Sequence, residues 1–241
     1  MVCRNQSRAD AAKQEIVERS QNQDVHVHIV DMSNARQVWE FAQSFSQSSC
    51  VHVLINNAGC MVNQRELTED GLEKNFATNT LGGTEPAAGV SSQVTVSSGG
   101  MLTQKLNADD LQFEKGAFDG TAAYAQNKRQ QVILTERWAT QHKEIHFSSM
   151  HPGWADTPAV QTSMPSFHAK MEARLRTEAM GADTVVWLAV SAAAAEQPSG
   201  LFFQDRKAVA THLPLASSRS SAQEEQKLLA ALDEFALKFK P

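Results

Sequence analysis

Apolar positions along the chain fall into blocks that alternate between helical and strand spacing. Residues 7–20 place Ala12, Ile16 and Val17 on one helical face, and residues 25–30 (VHVHIV) form a β-branched run that ends at Asp31. Ser33 is placed to cap a second helix, in which Val38, Phe41, Ala42 and Phe45 recur at helical spacing. The next strand, residues 51–55 (VHVLI), is almost wholly apolar, as parallel strands covered on both faces are. A helix is expected over 69–81. The run 82–89 (GGTEPAAG) then breaks the pattern before a strand at 93–97, and this connection looks cut short for a parallel crossover.

The alternation resumes with a helix over 121–141, a strand over 145–150, an apolar helix over 181–195 and a short strand at 201–203. Strands alternating with helices imply a parallel sheet wound with crossovers. Residues 217–221 read as a serine-rich linker, and Ser221 with Glu224 has capping-box spacing. The final helix carries Leu228, Leu232, Phe235 and Phe239 on one face, for docking on the body or, as the alternative, on a partner. The expected organisation is therefore one sheet domain over 1–216, followed by a linker and amphipathic helix over 217–241.

Composition narrows this picture. The 241 residues are 41% hydrophobic and 20% charged, with a net charge of −5, so no basic surface for nucleic acid is indicated. Cys3, Cys50 and Cys60 have no paired spacing, which fits a reducing, intracellular and cytoplasmic setting. No apolar run reaches the length of a membrane span, and residues 1–4 lack a signal-peptide core.

Four places carry candidate chemistry. Tyr124 and Lys128 sit four apart on a helix and point the same way, and Tyr124 is the only tyrosine in the chain. A cationic lysine favours tyrosinate, which would poise the phenol to exchange a proton with an alcohol or carbonyl oxygen. A half-buried tyrosine beside a surface-reaching lysine accounts for the same spacing. Asn56, Asn57, Ala58 and Gly59 follow a buried strand, where ligands of open α/β sheets bind, though an ordinary turn uses the same residues. Ser98 closes the strand 93–97 and could bond a substrate oxygen or simply cap a turn. Residues 151–157 (HPGWADT) follow the strand at 145, and Thr157 could bond a ligand amide or belong to a plain strand-to-helix turn.

The order of these motifs, each after a successive strand, resembles the short-chain dehydrogenase/reductase family, in its retinol-dehydrogenase-like branch. The resemblance covers nearly the whole chain except residues 82–92. It implies a Rossmann-like doubly wound sheet and an NADP(H)-dependent oxidoreductase that interconverts an alcohol and a carbonyl, a small-molecule substrate with no readable identity. Tyr124 would be the general acid/base, Lys128 would lower its pKa and hold the nicotinamide ribose, and Ser98 would orient the substrate oxygen. Asn79 would hold a proton-relay water, Asp31 would contact adenine, and Arg4 would receive a 2′-phosphate, favouring NADP(H) over NAD(H). Asn57, Ala58, Gly59, Pro152, Gly153 and Thr157 complete the implied cofactor contacts.

Two departures stand beside the resemblance. Nothing in the chain matches the family's TGxxxGxG turn, so the fold is expected to be N-terminally truncated, lacking its first strand and glycine-rich loop. In the family strand order that strand sits at the sheet centre, so the strand at 51–55 should present unpaired backbone. Residues 82–92 replace a long helix that often forms the dimer interface, which leaves the oligomeric state open. The alternative reading is a catalytically inactive truncated form that acts as an interaction protein or has no function. A metal hydrolase is a further alternative, since His26 and His28 share a strand face and His142 and His146 are four apart, but a third ligand is missing.

Overall fold

The computed structural model describes residues 1–48, 50–83 and 89–240. In chain order the elements are β1 (Val2–Cys3), α1 (Gln6–Ser20), β2 (His28–Ile29), α2 (Ala35–Ser48), β3 (Val53–Asn56), α3 (Lys74–Asn79) and β4 (Ser92–Val96). Then come α4 (Gly120–Gln141), β5 (His146–His151), α5 (Pro158–Ser163), α6 (Pro165–Met171), α7 (Glu178–Val190), α8 (Ala192–Ala195), β6 (Leu201–Gln204), β7 (Lys207–Ala208) and α9 (Ala222–Phe239).

The strands form two separate sheets. One is the parallel pair β1–β2, and the other runs β3-β4-β5-β6-β7, parallel until β7 turns back antiparallel on β6. Among the described residues no strand pairs the outer edge of β3, where Ile55 is 41% exposed. This split falls where the strand order implied by the resemblance places a further strand between β1 and β3.

Helices cover both faces of the larger sheet. Phe76, Leu134, Trp138 and Phe147 pack with Leu228 and Leu232 on one face, so α9 docks on the body, with Phe235 against Phe76 at 5.3 Å. Val94, Met150 and Phe203 pack with Leu188 of α7 on the other face. Adjacent Phe202 and Phe203 serve opposite faces, as strand alternation requires.

Several sequence expectations shift. The helix expected over 69–81 begins only at Lys74, because 67–73 folds back through a Leu67–Glu73 bridge and a bond from Thr68 N to Leu72 O of 2.8 Å. Glu73, buried, then caps α3 by accepting from Asn75 N and Phe76 N. The helix expected over 181–195 breaks at Ser191, whose extended backbone (φ −90°, ψ 130°) separates α7 from α8. Of the strand expected over 25–30 only His28 and Ile29 pair, as many residues as β1 offers.

The pattern break at 82–92 is entered by a 3-10 turn at Leu81–Gly83, while residues 84–88 of it lie outside the described residues. The connection from β3 to β4 nevertheless returns the chain parallel, with α3 as its helix. No described helix is long and apolar enough to cross a membrane. Ser221 and Glu224 make the expected capping box, Ser221 N donating to the Glu224 carboxylate at 2.7 Å and Glu224 N to Ser221 Oγ at 3.2 Å.

Candidate active site

Three successive parallel strands deliver their C-terminal loops to one edge of the sheet. Asn57 to Gly59 follow β3, Ser97 and Ser98 follow β4, and Pro152 and Gly153 follow β5. Helix α4 runs beneath them, started by Asp119, which accepts from Thr121 N and Ala122 N. Its long apolar and amide-rich surface is buried, and this fixes Tyr124 and Lys128 relative to the strand ends.

Lys128 is 3% exposed and donates from Nζ to Val96 O at 2.9 Å, while Ser97 Oγ donates to Lys128 O at 2.8 Å. The lysine is thereby locked to the end of β4 at both ends of the residue. Its Nζ stands 5.4 Å from the centre of the Tyr124 ring. Burial lowers the lysine pKa to about 8. Burial pushes the Tyr124 phenol up from its ordinary value, and a hydrogen bond with Ser98 opposes that rise. The expected lowering of the phenol by Lys128 is therefore not the outcome of this geometry. The ammonium lies over the ring, and desolvation dominates.

Gly59 closes against Lys128 and Asn79. A side-chain carbon there would stand 3.2 Å from Asn79 Oδ1 and 3.5 Å from Lys128 Nζ, so a glycine lets the loop backbone come this near. Asn79 clamps that loop, accepting from Cys60 N and donating to Cys60 O, both at 2.8 Å. Its carbonyl accepts from the Gln131 amide. The residue expected to hold a relay water thus has protein partners for its side chain and its carbonyl.

Ser98 Oγ accepts from Gly100 N at 3.2 Å and starts a 3-10 turn, so it caps a turn and meets Tyr124 at once. Gly153 has φ +78°, a left-handed conformation, and lies directly on the Arg176 guanidinium, which donates to Pro152 O at 3.2 Å. Arg176 in turn pairs with both carboxylate oxygens of Asp205, at 2.6 and 3.0 Å, which anchors this loop to the tip of the β6–β7 hairpin. Thr157 caps α5, accepting from Val160 N at 3.3 Å.

Gly59, Asn79, Ser98, Tyr124 and Lys128 are brought together. Asn57 and Ala58 lie on the same loop as Gly59, and Ala58 borders a cavity of about 30 Å³ beside Asn79. Asp31 sits at the end of β2 and is engaged locally, accepting from Ser33 N at 2.9 Å and Ser33 Oγ at 2.8 Å. Arg4, exposed at the end of β1, is close enough to lower the Cys60 thiol, which burial otherwise raises.

Two residues of the site, Gln131 and Arg176, lie outside the sequence motifs, and a third, His151, lies within one but carried no role there. Gln131 was findable, since it lies on the Tyr124–Lys128 face of α4 one turn on. His151, with its ring against Gly99 and its pKa pushed down to about 4 by burial and by Arg176, begins the HPG motif. Arg176 gives no local signal, because its partner Asp205 is 29 residues away.

The fold is a Rossmann-like α/β sheet, and a model of the short chain dehydrogenase family, a family of nicotinamide-using oxidoreductases, matches residues 1–166. The chain belongs to that family, whose members act on small molecules. It is similar to "Dehydrogenase/reductase SDR family member 12" from Homo sapiens and from Bos taurus, at 61% identity over all of this chain and 78% of each relative. Among solved structures it is similar in fold to an uncharacterized protein from Mycobacterium Paratuberculosis. That match has a TM-score of 0.66 and 22% identity, and covers 99% of this chain and 82% of the other.

Proposed function

We propose that the chain interconverts an alcohol and a carbonyl compound with NADP(H), Tyr124 exchanging the proton with the substrate oxygen. The observation that carries this reading is the meeting of Ser98, Tyr124 and Lys128 at the carboxyl ends of three parallel strands. The residues fit the nicotinamide and ribose half of the cofactor. A buried cation, Lys128, stands beside the Gly59 loop, where a side-chain carbon would come within 3.5 Å of its Nζ. The pyrophosphate half has no glycine-rich helix start in this sequence, and no step is assigned to it. Arg4 favours the 2′-phosphate form and Asp31 the adenine end.

When bound, the nicotinamide supplies or accepts the hydride. Ser98 orients the substrate oxygen toward the Tyr124 hydroxyl. Lys128, held by Val96 O over the Tyr124 ring, keeps its charge below a pH of about 8 and would hold the nicotinamide ribose. A cytoplasmic setting agrees with the three free cysteines.

NADPH binding, followed by cofactor fluorescence, and carbonyl-dependent NADPH oxidation test the reading. Tyr124→Phe should cut turnover by about 100- to 10,000-fold with binding retained. A folded chain that binds no NADPH overturns it in favour of a catalytically silent relative, and a Tyr124→Phe variant as active as the parent overturns the role given to Tyr124.

A further inference from the structure

A second cavity lies away from the strand-end loops. It has a volume of about 390 Å³ and is walled by α4, β6, the segment after β7 and the start of α9. That volume is within the range of small-molecule pockets, roughly 300–1,000 Å³. Its α4 wall consists of Arg129, Ile133 and Glu136, a different helical face from Tyr124 and Lys128.

Arg129 is the distinctive group. It is 1% exposed, with Nε donating to Gln104 O at 3.0 Å and Nη1 to Thr211 O at 2.7 Å. Its Nη2 has no hydrogen-bond partner. A buried guanidinium donor without an acceptor is costly, because its desolvation is not offset by a hydrogen bond. Two of its three nitrogens are held by backbone carbonyls, which fixes the guanidinium plane and leaves Nη2 as the nitrogen still open to an acceptor.

The surrounding charges select the acceptor. Arg219 adds a second cation to the wall, and Arg129 with Arg219 helps hold the His212 pKa below its ordinary value. Glu225 is already engaged, by Arg137 Nη1 at 3.8 Å and by Ser220 Oγ at 2.7 Å. That leaves the two cations Arg129 and Arg219 with the single carboxyl of Glu136 on the wall. The wall therefore has room for one negative charge, and a dianion such as phosphate would exceed it. Beside this polar end stand Ile133, Leu201, Phe202 and Val209.

We propose that this cavity binds a small amphipathic carboxylate, its anionic head on Arg129 and its apolar body along Ile133, Leu201, Phe202 and Val209. The site is independent of the redox reading. Arg129 directly follows Lys128, so an occupant would sit one residue from the lysine of the redox site.

Octanoate is the probe, titrated calorimetrically into the full chain at neutral pH, with octanol and inorganic phosphate as comparisons. Octanoate should bind at least about tenfold more tightly than either. Ala210→Trp, at an exposed position of the cavity wall, should weaken octanoate at least about tenfold by filling the space, and Arg219→Gln should weaken it severalfold. Circular dichroism verifies that each variant is folded, and either variant alone suffices for the test. The proposal is overturned if octanoate does not bind, if both variants bind it like the parent, or if octanol or phosphate binds as well as octanoate.

Discussion

The two sheets of this molecule differ more than their connectivity suggests. Around β4, β5 and α4 nearly every side chain is enclosed, including Lys128, Arg129, Asn127 and Gln130. Around β1 and β2, α1 buries only Ala9 and α2 buries no residue fully, although Phe41, Phe45 and His28 stack on one another at 5.2–5.3 Å. Helical pattern is equally clear in both places, so periodicity alone does not measure how firmly an element is held. The groups proposed to carry chemistry, Ser98, Tyr124 and Lys128, stand on the enclosed half. The residues expected at the adenine end, Arg4 and Asp31, stand on the open half.

The largest test of that contrast exchanges one phenylalanine in each half. Phe147→Ala, in the core against Trp138, should cost about 3–5 kcal/mol of unfolding free energy. Phe45→Ala should cost about 1 kcal/mol. Urea denaturation compares them, and equal losses would show one cooperative unit in place of a firm and a loose half.

Acid should also act on the enclosed half. His151 has its folded pKa depressed from 6.5 to about 4, so the unfolded chain takes up this proton first. Its contribution is complete above pH 6.5 and is lost as the pH falls toward about 4, a difference of about 3 kcal/mol. Stability measured across this window should decline less steeply in His151→Gln. An unchanged slope would place the acid sensitivity elsewhere.

The smallest contrast is between two helix caps. Ser221→Ala removes half of the capping box of α9, which docks through Leu228 and Leu232, and should lower global stability by about 1 kcal/mol. Asn5→Ala removes the cap on Arg8 N in α1 and should speed amide exchange within that helix while leaving the global transition in place. A shift of the global midpoint by Asn5→Ala would join α1 to the core.

The enclosed half was also the legible half. Strands such as VTV and HFSSM, and a helix as long as α4, announce themselves through apolar content and length, and the four strand-end motifs could be placed from them. The start of α3 was not legible, because residues 69–73 include good helix formers whose actual roles, a reversing turn and a carboxylate cap at Glu73, depend on contacts with Phe76 N and Leu67. Within the site, the types and places of Ser98, Tyr124, Lys128 and Gly59 were readable. The clamp made by Asn79 on Cys60, and the Arg176–Asp205 anchor beneath Gly153, were hidden by distance along the chain. The balance of burial against charge at Tyr124 was hidden too, since spacing says nothing of desolvation.

Tyr124 being the sole tyrosine has a practical consequence. The ultraviolet absorption band of phenolate, followed in an alkaline titration, belongs to one known atom, and the four tryptophans do not ionise into it. The chain carries a built-in optical indicator at its proposed redox site. Its midpoint should lie above that of free tyrosine, and any ligand that changes the surroundings of the hydroxyl should move it, whether or not turnover can be detected.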